Sequence, residues 1–467
     1  MTAVPSRSLS ALVCAVVLGL TSMVTSVFVF GADKLVAQFR LLADEGFIMN
    51  GTGQPDPTVG TYLGDVLARY LQPSTPLFDG QPTLPGYTFQ GLTTPEQFCP
   101  FVCLPPPNPQ LNFGDSLSQG EAELTKAIVP HLQNGDNVAV LGYSQSATIA
   151  TLEMQNLVNN PGSLTPEQLS NLHVVLIGDP NNPIGGLLDR LQFPAGIGPD
   201  FSSVPQHVPF VGIPLGIGPT PTGPFPTDIY TGEYDGFANF PQDPTNLLAV
   251  INALIGIGTV HGTYPTADNL ADVMNLGSID HTNFYMIPEQ LPILSPIYQL
   301  GDFGKVVGDA LAPGLTQNID WAYGNPGDPF VGVNGTDAIG PWAVTATGQL
   351  VSSGAFGFFE KMDPLQMLAG MQYAGVQGFV NPINDILGFA GQQPLPESFV
   401  NSLLAGYDFT NQVDQFLLNG LNELATGSNG ADLLGPDAIF TGAPLISGEP
   451  LLGLIGGGFS VFNLFGG

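Results

Sequence analysis

The sequence predicts an α/β fold built on a central, mostly parallel sheet, preceded by an N-terminal export segment and followed by a glycine-rich, partly helical extension. Three observations carry this. From Leu35 to about Asn325, short apolar runs alternate with stretches of helical periodicity, the pattern of strands joined by helical crossovers. Ahead of that stretch, Arg7 is followed by residues 8–32 without one charge. Beyond Asn325 the chain turns glycine-rich and holds one basic residue, Lys361, and no histidine. These changes divide the 467 residues into 1–32, 33–325 and 326–467, and a 43 % hydrophobic content is ample for a core.

The uncharged N-terminal run is longer than the about 7–15 residues of a signal-peptide core and close to the about 20 of a spanning helix. Thr21-Ser22 and Thr25-Ser26 weaken it as a span, and Val24-Thr25-Ser26 suits cleavage. Export is expected; a cleaved signal and a retained anchor both fit. In the next section, strands are predicted over 46–49, 137–141, 173–177 and 228–231, and helices over 62–71, 116–132, 147–159 and 246–255. Residues 205–226 are too rich in proline and glycine for regular structure, yet carry Phe210, Val211, Ile213, Leu215, Ile217 and Phe225. The segment reads either as a lid or acyl-chain wall or as a loop packed on the core. Cys14 lies in the apolar run, whereas Cys99 and Cys103 share a proline-rich loop, where an exported chain is expected to form a small structural disulfide. In the extension, Asp363-Pro364 suits N-cap and N1 of a helix through Tyr373. Another helix is predicted over 411–425, with Val413, Phe416, Leu417, Leu421 and Leu424 on one face.

Charge narrows the function. Eight basic residues stand against 39 acidic ones, a net charge of −31, and no two basic residues are adjacent. Nucleic acid binding needs clustered cations, so it is excluded. Docking on anionic lipid heads is disfavoured too, and membrane attachment through the N-terminal segment has to be hydrophobic. No P-loop, dinucleotide fingerprint or His/Cys metal spacing occurs, so neither cofactor nor metal is expected.

Gly142-Tyr143-Ser144-Gln145-Ser146 lies between the apolar run Val138-Ala139-Val140-Leu141 and a helical stretch. A serine on a sharp strand-to-helix turn exposes its hydroxyl, and neighbouring N–H groups point at a bound carbonyl. This is the nucleophile elbow of an α/β-hydrolase, with Ser146 where glycine is usual. A serine nucleophile needs a histidine base and an orienting carboxylate, in the chain order Ser, acid, His. His131 precedes Ser144, His173 starts the following strand, and His207 lies in the proline-rich loop before the best acid. His261 and His281 remain. Among Asp179, Asp228, Glu233 and Asp235, the last lies just past a strand, where a loop can aim a carboxylate at the next histidine; Glu233 and Asp228 stand behind it. For the oxyanion hole, one donor is expected from Gln145. The other is expected from the Gly51-Thr52-Gly53 loop after an early strand.

These segments together resemble the mycobacterial PE-PPE hydrolase domain, a cutinase-like branch of the serine α/β-hydrolases. The likeness rests on Met49-Asn-Gly-Thr-Gly-Gln-Pro-Asp-Pro57, the elbow, and Gly178-Asp-Pro-Asn-Asn-Pro-Ile-Gly-Gly186. It continues through Glu233-Tyr-Asp-Gly-Phe-Ala-Asn-Phe-Pro241, Val260-His-Gly-Thr-Tyr264, and Phe284-Tyr-Met-Ile-Pro-Glu-Gln-Leu-Pro-Ile-Leu294. The resemblance implies Ser144 as nucleophile, Asp235 as acid and His261 as base. It also implies carboxylic ester hydrolysis, or acyl transfer onto a sugar or other alcohol in building envelope lipids. The helical N-terminal PE or PPE region of the family is not expected in this sequence, where the export segment is expected instead. The expectation is an exported, envelope-attached esterase or acyltransferase acting on lipid-like acyl esters. The rival is a non-catalytic envelope protein that keeps the fold as a binding module.

Overall fold

The computed structural model describes residues 44–191, 206–208, 212–323 and 364–426. The chain divides into two units, Met1–Asp44 and Glu45–Gly467, and the described residues other than Asp44 belong to the second. The uncharged run 8–32 and Cys14 lie outside them, and no helix among the described residues is long and apolar enough to cross a membrane.

In chain order the main elements are β1 (Glu45–Ile48), α1 (Tyr62–Val66, continued by a π-helical turn Leu67–Leu71), β2 (Thr88–Gly91), α2 (Phe113–Asn134), β3 (Val138–Tyr143), α3 (Gln145–Asn159) and β4 (Leu172–Ile177). A two-residue hairpin follows, β5 (Gln206–His207) and β6 (Pro214–Leu215), then β7 (Thr227–Gly232), α4 (Leu247–Thr259), β8 (Met274–Ile279) and β9 (Thr282–Ile287). Three long helices close the list: α5 (Asp302–Trp321), α6 (Pro364–Phe389) and α7 (Glu397–Thr426).

Seven strands form one sheet in the order β2-β1-β3-β4-β7-β9-β8, parallel throughout except for the β8–β9 pair. The central strands are apolar at successive positions because both faces are covered. Alternation then sorts the side chains into two cores. Val138, Val140, Val174, Leu176 and Ile229 face Leu117, Leu124 and Ile128 of α2 and Ile149 and Met154 of α3. Ala139, Leu141, Val175, Ile177 and Tyr230 face Tyr62, Val66, Tyr70 and Tyr264 on the other side. Helix α2 is bounded as its sequence dictates: the Asn112 side chain accepts from Asp115 N, and Gly135 ends the helix at φ 82°.

The strands expected at 46–49, 137–141, 173–177 and 228–231 are β1, β3, β4 and β7. Strands β2, β8 and β9 were not predicted. β2 and β8 are partly exposed sheet edges without a continuous apolar run, and β9 opens on polar Thr282 and Asn283. The 205–226 segment is not wholly irregular, since Gln206–His207 pairs with Pro214–Leu215. In the extension, α6 runs well past Tyr373, held by packing against α5, with Lys305 of α5 bonded to Asp385 of α6. The 411–425 prediction falls inside the longer α7.

From β1 the chain steps to β2 on one side, then to β3 on the other. The carboxyl ends of β1 and β3 therefore flank a topological switch point, where a crevice opens at the strand ends.

Candidate active site

Ser144 sits between β3 and α3 with φ 57° and ψ −117°. A non-glycine residue is strained there, and the surrounding packing has to hold it. Gly142 permits the turn, because a Cβ there would lie 2.7 Å from the Ser146 carbonyl oxygen. Ser146, in the usual glycine position, is wholly buried; its Oγ accepts from Tyr143 N at 2.8 Å and donates to Tyr143 O at 3.1 Å. The hydroxyl is thus absorbed by the turn it helps to close.

His261 follows α4 directly. Its Nε2 lies 2.7 Å from Ser144 Oγ and its Nδ1 2.7 Å from Asp235 Oδ2. Asp235 is fully buried just beyond β7, and its Oδ1 accepts the Phe237 N–H at 3.0 Å. The buried carboxylate favours the tautomer with a proton on Nδ1, which leaves Nε2 to accept the serine hydroxyl. Tyr143 stacks on the imidazole at 5.6 Å between centroids and donates its hydroxyl to the His261 carbonyl at 2.6 Å. Phe237 presents its edge from 4.8 Å. The ring is therefore held by both its nitrogens and its backbone, with Tyr143 stacked on it and Phe237 packed nearly at right angles to it.

The β1 loop approaches the same serine: a Cβ on Gly51 would lie 3.2 Å from Ser144 Cβ. Its donors are not equivalent. Gly51 N donates to the Asn50 side chain at 2.8 Å and Gly53 N to the Glu96 carbonyl at 2.7 Å. Among the described residues, Thr52 N and Gln145 N at the start of α3 have no such acceptor. The Gln145 side chain binds the two segments together: it accepts from Thr52 Oγ1 at 2.9 Å and donates to Gln97 O at 3.0 Å and Ser116 Oγ at 2.9 Å. Glu96, at φ 48°, is wholly buried, accepts from Thr94 at 2.7 Å, and is pushed up to about 8 by burial.

The rival acids and bases have other partners. Asp228 meets His173 at 2.7 Å and accepts from Asn283 at 2.9 Å near the amino ends of their strands, away from the elbow. Asp179 accepts from Asn181 N and the Thr220 hydroxyl, and burial pushes it up to about 6. Glu233 accepts from Glu289 N, and His131 faces Asp136. His281 lies just before β9, its carbonyl accepting from Thr227 N, at the far end of the sheet from the elbow.

The apolar wall needs correction. Phe225 is fully buried in the core under α3, and Ile217 packs against that core while its carbonyl accepts from Gln155. Burial under the sheet is more favourable for these two than an open wall. Ile213 is half-buried; Phe210, Val211 and the side chain of Leu215 lie outside the described residues. Cys99 and Cys103 are disulfide-bonded, and their loop brings Val102 against Gly53. Sequence reasoning missed the roles of Tyr143, Phe237, Tyr264, Glu96 and Gln97. Three of them, Tyr143, Phe237 and Tyr264, stand in quoted motifs, but spacing names no partner. Among the described residues, no group of three His, Cys, Asp or Glu side chains is arranged to hold a metal.

Residues 85–324 match the family model of the PE-PPE domain. Esterase PE16 of Mycobacterium tuberculosis is 36 % identical over 286 residues, covering 60 % of this chain and 48 % of that protein. PE family protein PE3 of the same organism is 34 % identical over 283 residues, covering 59 % and 54 %. Diacyltrehalose acyltransferase Chp2, also from M. tuberculosis, is 30 % identical over 266 residues, covering 54 % and 69 %. The chain spans about half the length of the first two relatives.

Proposed function

The chain belongs to the PE-PPE domain family, and from that premise we propose that it is a serine ester hydrolase or acyltransferase working through an acyl-enzyme on Ser144. The observation that carries this reading is the unbroken chain Ser144 Oγ, His261, Asp235, with 2.7 Å at each step. His261 Nε2 takes the hydroxyl proton as Oγ attacks the ester carbonyl, and Asp235 stabilises the imidazolium that results. The Gln145 and Thr52 N–H groups hold the tetrahedral oxyanion, with the amino end of α3 adding a favourable dipole. Collapse breaks the bond to the alcohol, which leaves with the proton from His261. The acyl group then passes to water or to an acceptor alcohol by the same steps in reverse.

Hydrolysis and transfer share every residue named so far. A relative named an esterase supports the first outcome, and one named a diacyltrehalose acyltransferase supports the second, with a sugar hydroxyl as acceptor. Lipid-like acyl esters suit Phe237, half-buried beside the imidazole. The uncharged run 8–32 supports export and a place in the cell envelope.

The test is a series of p-nitrophenyl esters from acetate to palmitate, with and without a sugar acceptor, on wild type and Ser144→Ala. Wild-type turnover that vanishes in Ser144→Ala supports the reading. Turnover equal in both proteins overturns it, and acyl-sugar formation decides for transfer.

A further inference from the structure

The Asp235 carboxylate accepts three hydrogen bonds, and two of them come from groups other than Ser144 and His261. Besides Phe237 N on Oδ1, its Oδ2 receives both His261 Nδ1 and the Tyr264 hydroxyl, each at 2.7 Å. The phenol oxygen in turn accepts the N–H of Gly232, the last residue of β7, at 2.7 Å. Tyr264 has little freedom to move. It is 1 % exposed, and its carbonyl accepts from the Tyr70 hydroxyl at 2.8 Å. Its ring lies so close to Gly178 that a Cβ there would come within 2.8 Å of it. Burial pushes the phenol far above its ordinary value, so it remains a donor at any working pH.

We propose that Tyr264 is a positioning residue for the reaction: its hydroxyl locks the Asp235 carboxylate toward His261 and, by drawing charge from Oδ2, limits the basicity of the imidazole. This rests on the reading of Ser144, Asp235 and His261 above. The Gly232 N–H satisfies only a lone pair of the phenol oxygen; the buried O–H still needs an acceptor of its own. Here the hydroxyl is spent on the same oxygen that orients the base. Without it, Oδ2 carries more charge, holds the imidazolium more tightly and is freer to rotate.

The titratable groups facing the Asp235–His261 pair are Tyr143 and Tyr264 at the imidazole, Glu233 in the acid loop, Glu289 beyond β9 and Tyr323 after α5. Burial pushes Glu289 up to about 6, into the range of a histidine, so a Glu289→Gln background removes it from the titration.

The experiment measures kcat and KM against pH on a soluble short-chain ester, for wild type, Tyr264→Phe, Tyr70→Phe and Ser144→Ala, each with Glu289 and with Glu289→Gln. Expected for Tyr264→Phe is a kcat lower by about tenfold with KM unchanged. The acid limb of kcat/KM should move up by roughly half a pH unit. Tyr70→Phe, which loses a bond in the same packing but never touches the carboxylate, keeps the wild-type limb. 3-Fluorotyrosine at position 264, a stronger donor of nearly the same shape, moves the limb down and serves if Tyr264→Phe does not fold. An unmoved limb in both Tyr264 variants, or an equal shift in Tyr70→Phe, overturns the inference while Ser144→Ala remains dead. Full activity in Ser144→Ala instead overturns the reading on which the inference rests.

Discussion

At the scale of single residues, the site depends on how closely backbone can approach Ser144. Gly51 leaves little room for a methyl group between the β1 loop, Ser144 Cβ and the Tyr143 ring, the nearest atoms lying 3.2 Å from a built Cβ, so a neighbour would have to give way. Gly51→Ala is expected to push Thr52 N from the proposed oxyanion position and lower kcat by roughly tenfold to a hundredfold with unfolding unchanged. Steady-state kinetics beside a thermal melt checks this. Ser146 illustrates the opposite freedom. Its hydroxyl is bonded within the turn, so the departure from glycine at that position is accommodated rather than costly. Glu96, below the same loop, is protonated at neutral pH because burial pushes it from 4.5 to about 8. Glu96→Gln keeps the neutral shape, and at pH 8 is expected to be more stable than wild type by on the order of a kcal/mol or more, read from urea midpoints.

At the scale of elements, the proposed acid and base are brought together by one helix. Helix α4 ends at Thr259, two residues before His261, and packs against the loop that carries Asp235. The fit is backbone against backbone: a Cβ on Gly256 would fall 1.9 Å from the Tyr234 carbonyl oxygen, and one on Gly236 2.2 Å from that of Ala253. Gly256→Ala must therefore move the helix or the loop. It is expected to cost about 1–3 kcal/mol of stability and to lower activity more than the stability loss alone accounts for. Comparing melting temperature with kcat/KM measured well below it separates the two effects. The face of α4 away from this joint exposes Leu247, Ile251 and Leu254.

At the scale of the whole molecule, pH acts through buried carboxyls. Burial raises Glu96 to about 8, Glu153 to about 7, and Asp179 and Glu289 to about 6. Their ordinary values are 4.5 for glutamate and 3.8 for aspartate. The folded chain thus binds more protons than the unfolded one in this window. The stability these groups give is complete below the unfolded values and is lost as pH rises through 6 to 8. Self-repulsion in a chain of net charge −31 acts in the same direction. Urea midpoints are expected to fall steadily from pH 5 to pH 8, and Glu96→Gln should flatten the upper part of that fall.

Sequence alone determined the parallel sheet, the elbow and the candidate triad, because these are written locally. The short apolar runs at 138–141 and 174–177, bounded by helical stretches, read as doubly covered strands, and a serine between strand and helix reads as a sharp turn. The resemblance then narrowed two histidines to His261. Tertiary structure alone decided what depends on distant segments meeting in space. It committed the Gly51 and Gly53 N–H groups to Asn50 and Glu96, and left Thr52 N without a backbone or side-chain acceptor among the described residues. It buried Phe225 beneath α3 instead of lining a cleft. It also put the Tyr264 hydroxyl on Asp235. A hydrogen bond between residues far apart in the chain leaves no periodicity to read; only the packing that fixes both ends shows which donor finds which acceptor.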